Sequence, residues 1–361
     1  MRNSVFDEWE QHLDRVLDGG DPGGWTALDE HVRAALRWGP VAPGLTRFPV
    51  GTDGRPPTAS ELAVALCGPD GRLREAALAY VTDVPALLPL AVIRCADWAG
   101  PVRERARAVL RAELPRLTPE ALGPVAPVIL RVAGRAHGDT ARELLLQVLR
   151  TGPEAGAFAL LASGDRAVRR LAHRIAVERG LLSPARLATT AARDADVVVQ
   201  DLCANAVLAT ATPDPAVLDL LLTARPGRTR AAGVTALRRA GRAGEAEPFL
   251  YDRSALVRAC ARYVLRQAGT EPLPLYRAAC AAGYPRTPHH APVGLAECGD
   301  RTADAPTLWS LTGHALPQVR ASAVVGLRLM DAVRPGRLAP LLDDSSPRVV
   351  REARKALSPW A

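Results

Sequence analysis

Aromatic residues make up only 4% of this 361-residue chain. Its interior must therefore be filled by aliphatic side chains, and it offers little ring surface for stacking on bases or sugars. Lysine is almost missing as well, Lys355 being the only one. The net charge of +8, from 46 Lys+Arg against 38 Asp+Glu, is thus carried by arginine. Such an excess draws anionic partners, although a chain so rich in Ala, Arg, Gly and Pro also fits a high-GC coding background. No charge-free apolar run of about eighteen residues is present to span a membrane. The first residues lack the basic, apolar, small-residue order of a signal peptide, so no membrane contact and a cytoplasmic location are expected. Cys67, Cys95, Cys203, Cys260, Cys280 and Cys298 are scattered without a Cys-x-x-Cys pair; they are expected to be small buried hydrophobes, with no metal and no cofactor. Also missing are a glycine-rich dinucleotide turn, a phosphate loop, His-Glu-x-x-His and a Gly-x-Ser-x-Gly nucleophile turn. The expectation is a non-enzyme.

What the chain has is a pattern recurring about every thirty residues. Asp70-Gly71-Arg72-Leu73-Arg74 leads to Ala77 and Val81, Asp165-Arg166-Ala167-Val168-Arg169 to Ala172 and Ala176, and Ser254-Ala255-Leu256-Val257-Arg258 to Ala261 and Leu265. Weaker copies open at Val102-Arg103, Ala141-Arg142, Val199-Gln200, Thr229-Arg230, Val319-Arg320 and Val349-Val350. Apolar residues four and eight places on share one face of a helix. Asp70, Asp165, Asp196, Ser254 and Ser346 stand where a side-chain oxygen can cap the helix start. Between these helices lie further apolar stretches, Pro85 to Ala96, Pro119 to Ala133, Pro184 to Ala192, Pro215 to Thr223 and Pro335 to Leu342, whose early prolines suit a first helical turn. Each unit reads as a helical hairpin.

The Asp-x-x-Val-Arg-x-x-Ala signature resembles the HEAT-repeat family, especially the short-period form named after phycobilisome-lyase HEAT-like repeats, over about residues 59 to 358. The resemblance implies an all-α fold, an α-solenoid of about ten hairpins. On this reading residues 1–38 form an N-terminal helical cap, with helices over Ser4 to Leu17 and Thr26 to Trp38. Residues 39–58 form a Pro/Gly-rich loop, and 59–361 the repeat array. A cap is what a solenoid end needs, because its last apolar face would otherwise meet water.

By the same resemblance the arginine after the first valine pairs with acidic or backbone groups of the neighbouring unit. This makes Arg74, Arg103, Arg169, Arg230, Arg258 and Arg320 an inter-repeat ladder. A second set follows at Arg111, Arg150, Arg238, Arg266 and Arg328, with Arg107, Arg262 and Arg354 between. Eight residues are about two turns plus eighty degrees, so the two sets form an oblique stripe. In the family the second helix of each hairpin lines the concave surface, where guanidinium groups at successive repeats suit carboxylates or phosphates. The alternative is a solvated face, since Glu104, Glu113, Glu143, Glu178, Asp201 and Glu352 share these helices.

Residues Tyr284 to Asp300 break the period with three prolines, so the helix there must be short or late. His289 and His290 lie in this segment without a metal-ligand spacing. Three functions follow: a scaffold holding a protein or peptide on the concave face, sequence-independent binding of nucleic acid through the later arginines, or, by family resemblance, an alkylpurine DNA glycosylase. Asp97-Trp98, with Trp309 remote, would serve the last; more simply, Trp98 packs against the next repeat. The partner's identity and the oligomeric state are left open.

Overall fold

A computed structural model describes residues 4–17, 22–38, 56–209 and 214–360. The described residues form α-helices and short 3₁₀ turns, with no strand among them. No helix among them is long and apolar enough to cross a membrane. Most of the 39–58 segment, residues 39–55, lies outside the described residues. The fold is an all-α solenoid, and the chain divides into two compact units, 1–182 and 183–361.

The first unit opens with α1 (Ser4–Leu17) and α2 (Pro22–Trp38), which starts a turn earlier than its apolar pattern indicates. Hairpins follow: α3 (Ala59–Cys67) with α4 (Gly71–Ala77), α5 (Leu88–Arg94) with α6 (Gly100–Glu113), α7 (Pro119–Val132) with α8 (Asp139–Thr151), and α9 (Glu154–Leu160) with α10 (Arg166–Glu178). First helices stack on first helices and second on second, each on its neighbour, while α2 lies against α3, α5 and α7. This nearest-neighbour packing is what makes a solenoid.

The second unit repeats the plan with α11 (Pro184–Arg193) and α12 (Val197–Ala209), then α13 (Pro215–Leu222) and α14 (Gly227–Arg239). A 3₁₀ stretch, Ala243–Tyr251, stands as first element before α15 (Ala255–Gln267). Next come α16 (Pro272–Ala281) with α17 (Ala291–Ala296) and α18 (Arg301–Leu311) with α19 (Pro317–Leu329). Finally α20 (Pro335–Leu338) and a 3₁₀ turn precede α21 (Pro347–Leu357). The proline-broken segment thus yields α17, both short and late. Its Gly294 meets the buried Tyr276 ring so closely that an added Cβ would lie 2.1 Å from Cε1.

One regularity governs both units. The second helices α4, α6, α8, α10, α12, α14, α15, α19 and α21 all begin three residues before the ladder position, that is before residues 74, 103, 142, 169, 200, 230, 258, 320 and 350. Asp70, Asp165 and Asp196 accept backbone N–H groups of the first turn at 2.8–3.1 Å. Ser254 and Ser346 occupy the cap position but their hydroxyls make no capping bond. There the fixing carboxylate lies two residues earlier, Asp252 and Asp344 taking the serine N–H at 2.7 and 2.8 Å. Cys67, Cys95, Cys203 and Cys280 are buried, whereas Cys260 and Cys298 are half-buried. Burial pushes the Cys95, Cys203 and Cys280 thiols up to about 12.

Candidate functional site

The ladder position has a fixed local geometry. From the first turn of its helix, each side chain folds back to the loop that precedes that helix. Nη1 of Arg74, Arg103, Arg169, Arg230, Arg258 and Arg320 donates to the carbonyl six residues earlier, at 2.7–2.9 Å. Gln200 makes the same bond through Nε2 to Asp194 O at 2.6 Å. This is a loop-closing contact within one repeat, satisfying a carbonyl that burial would otherwise leave unpaired.

In Arg74, Arg230, Arg258 and Arg320 the other edge of the guanidinium also reaches the next repeat, whereas Arg103 makes the loop contact alone among the described residues. Arg74 Nε and Nη2 each lie 3.0 Å from the Asp97 carboxylate; Arg230 grips Asp252 at 2.8 Å twice, and Arg320 grips Asp344 likewise. Each of these aspartates sits six residues before the next ladder position. Its carboxylate therefore serves the repeat behind while its carbonyl is available to its own: Arg103 donates to Asp97 O and Arg258 to Asp252 O. The bidentate fork fits a carboxylate with little further ordering, which is why arginine holds the place. An aspartate six before the ladder position was present in the sequence at Asp97, Asp194, Asp252 and Asp344, and at Asp97, Asp252 and Asp344 it is the acceptor side of the ladder.

Between α12 and α14 both partners are replaced. The residue six before Arg230 is the buried Ala224, and the preceding ladder residue is the neutral Gln200 rather than arginine. Arg258 faces the shortened α17, and Glu297 from just beyond that helix takes Arg258 Nε at 3.1 Å and, by a short contact, Nη2. Arg262 joins the same carboxylate at 2.6 Å and lies 3.4 Å from the Tyr276 hydroxyl, which itself donates to Leu250 O at 2.8 Å. Burial would raise the Glu297 carboxyl, but the Arg258 and Arg262 guanidinium groups outweigh it and hold it below the ordinary carboxylate range. Asp252 is likewise lowered by Arg230 against its own burial. At Asp344 the Arg320 hydrogen bonds are the larger influence and again lower it. Burial pushes Tyr276 up to about 12.

In the first unit the ladder grows into a buried chain of alternating charge. Arg94 Nη1 reaches Asp97 Oδ2 at 3.1 Å and its Nη2 reaches Asp29 on α2; Arg33 lies 3.2 Å from the same Asp29. The Arg74 and Asp97 side chains are 0% and 1% exposed. Asp97 also accepts the Ala99 N–H at 2.9 Å. With three guanidinium contacts and a backbone donor, neither of its oxygens is open to a reacting base. Trp98 does not pack against the next repeat as its position indicated: it is 73% exposed and lies 5.5 Å from the Arg74 guanidinium. Trp309 is buried under Arg337. The geometry thus provides no carboxylate and aromatic pair for base excision at these positions.

The later arginines divide. Arg262 is engaged as described, and Arg107 donates to Glu104 at 2.9 Å and His137 O at 3.0 Å. Arg150 lies 3.4 Å from Glu178 and Arg266 3.4 Å from Glu271, both pairs open to solvent. Arg111, Arg238 and Arg328 are exposed and make no hydrogen bond or ion pair among the described residues. Arg111, Arg150, Arg238, Arg266 and Arg328 all occupy the last turn of their helices. There the carbonyl end of the helix dipole favours cations, so the fold itself has a use for them. Among the described residues, no three His, Cys, Asp or Glu side chains gather as metal ligands. His290 is lowered by burial and then by nearby Arg258 and Arg348.

No family model and no curated sequence matches the chain. Among solved structures it is similar to the karyopherin Kap121p bound to the extreme C-terminus of the protein phosphatase Cdc14p, at 15% identity over 98% of this chain and 45% of that one, TM-score 0.33. It is similar also to a structure of Kap95p with RanGDP, at 12% identity over 97% and 57%, TM-score 0.31. An engineered protein matches at 15% identity over 98% and 95%, TM-score 0.24. The chain spans about half the length of the karyopherins it matches. These superpositions are loose, and the solenoid assignment rests on the hairpin stacking described above.

Proposed function

We propose that this chain is a non-enzymatic scaffold that holds a protein or peptide partner on the face lined by its second helices, with α1 and α2 capping the array. The observation that carries the reading is the division of labour among the charged groups. The buried and half-buried ones join repeats to one another, as Asp97, Asp252 and Glu297 do. Exposed arginines recur in register because the second helices other than α17 start at the same offset from the ladder. Repetition of this kind supplies a long surface without convergent chemistry. Affinity capture from lysate of the source cell should retain a protein on the wild-type chain and lose it when Arg111, Arg238, Arg266 and Arg328 are changed to Glu. Capture of nothing specific to the folded chain would sink the proposal.

The exposed, unpaired Arg111, Arg238 and Arg328 also favour a second reading, binding of nucleic acid without sequence preference. It requires affinity that falls steeply with salt as counterions are released. Binding of labelled duplex and single strands across a salt series separates the two.

A further inference from the structure

We propose that the N-terminal edge of three successive second helices, α12, α14 and α15, docks an acidic segment of a partner protein that carries apolar side chains among its carboxylates. This rests on the scaffold reading and names the partner's chemistry. The three helix ends form one continuous edge. Arg228 Nη1 on α14 reaches Asp201 on α12 at 3.0 Å, and Arg253 before α15 donates to the Arg225 carbonyl before α14 at 2.8 Å. Gly227 opens α14 so close to the next loop that a Cβ there would stand 2.8 Å from Ser254 Oγ.

The edge is rich in exposed cations, and Arg225 among them makes no side-chain bond within the described residues. The exposed Arg193 ends α11, but Arg225, Arg228 and Arg253 are exposed around the starts of α14 and α15, where the positive end of the dipole disfavours them. That is the reverse of Arg238 and Arg266, in the last turns of two of the same helices. The acids nearby are largely committed: Asp252 to Arg230 and the Ser254 N–H, and the buried Asp196 to the α12 start. Asp201 faces Arg228.

Apolar surface is interleaved with this charge. Val197, Val198 and Leu256 are 50%, 43% and 49% exposed. At the register two residues before the ladder position, the edge reads Val198, Arg228, Leu256. Packed helices lie about 8–10 Å apart, which an extended chain crosses in about three residues. The complementary segment therefore alternates an apolar side chain, a carboxylate about three residues on, and a second apolar side chain about six residues on. None of the edge residues named is aromatic, so bases lack the stacking platform that single strands use.

Fluorescence anisotropy tests this with a labelled peptide of Asp, Glu and Ser carrying leucines six residues apart, against the same composition with adjacent leucines and against oligothymidylate of equal length. The spaced peptide should bind best. Combined R225E, R228E and R253E should weaken it about tenfold, and R225E alone, which breaks no side-chain bond, about threefold. Val198→Ser with Leu256→Ser should weaken it about threefold. R286E with R334E, exposed arginines in the later repeats of the same unit, should change it less than about twofold. Absence of saturable binding, tighter binding of the oligonucleotide, or equal loss from both arginine sets would overturn the proposal. If a partner captured by the wild-type chain is still held by the triple variant, the edge falls while the scaffold reading stands. A chain that captures nothing and binds no peptide fails both.

Discussion

The two units share one repeat plan but distribute charge in opposite ways. Residues 1–182 carry 23 Lys+Arg against 22 Asp+Glu, and residues 183–361 carry 23 against 16, so nearly all of the net +8 belongs to the second unit. In the first unit, charge is drawn inward, from the half-buried Arg33 into the buried run of Asp29, Arg94, Asp97 and Arg74. Exposed acids Asp70 and Asp139 lie at or near its helix starts, where the dipole favours them. In the second unit Asp252, Glu297 and Asp344 are taken up by the ladder, and Arg193, Arg225, Arg228 and Arg253 face outward. Equal repeats can thus hold charge for cohesion or leave it for recognition, and the number of acids decides which.

The comparison breaks most severely at Asp97. Asp97→Asn would leave Arg74 and Arg94 buried and undercompensated, at a cost of about 3 kcal/mol or more. Urea unfolding of the purified variant should show it, with hydrogen exchange placing the loss in the first unit. A near-neutral variant would mean that the buried run is not what holds α2 to the array. In the second unit the counterpart is Gly294→Ala. Its Cβ would overlap the Tyr276 ring, forcing the ring off its Leu250 bond at an expected cost of about 2 kcal/mol. Thermal unfolding of that variant measures it.

Gln200 sharpens the ladder rule itself. Gln200→Arg should destabilise by about 1–2 kcal/mol, because the fork would face the buried Ala224 where other repeats hold aspartate. Adding Ala224→Asp should recover most of that loss, and a double-mutant cycle gives the coupling. If the two losses simply add, the inter-repeat pairing does not set the choice of residue.

Acid should also separate the repeats. Asp252, Glu297 and Asp344 are held below their ordinary values by their arginines, so the folded state binds fewer protons than the unfolded one. Their contribution is complete above the unfolded carboxylate range and disappears as pH falls through the lowered folded values. Unfolding midpoints should be flat from neutrality to about pH 5 and then decline, with Glu297→Gln shallowing the decline. A slope unchanged by that substitution would remove Glu297 from the account.

Much of this plan was legible in the sequence. The period located the starts of the second helices, because a helix start is a local event set by capping chemistry and apolar spacing. Proline forecast the short α17. The ladder's acceptors were not read: Asp97 stood out as a lone Asp-Trp pair, when its meaning lay in its place six residues before Arg103. Glu297 had no fixed place at all, since it reaches Arg258 only because α17 is short. Trp98 was read as packing and is exposed, for the side of a loop residue depends on the neighbouring repeat. The later arginines looked like a stripe, and the sequence pattern did not reveal that five of them occupy last turns.

That last point yields the finest test, made on α14 alone. Arg238→Glu puts an anion in the last turn and should cost about half a kcal/mol, while Arg225→Glu near the start of the same helix should gain a few tenths. Neither side chain has an ion pair among the described residues, so the dipole is isolated from pairing. Chemical denaturation at low and high salt would read both. Opposite signs that shrink together in salt would establish that the fold accounts for the arginines at helix ends and not for those at helix starts. Loss from both substitutions would show Arg225 to be structural, and with it the reason for seeking a partner at that edge would weaken.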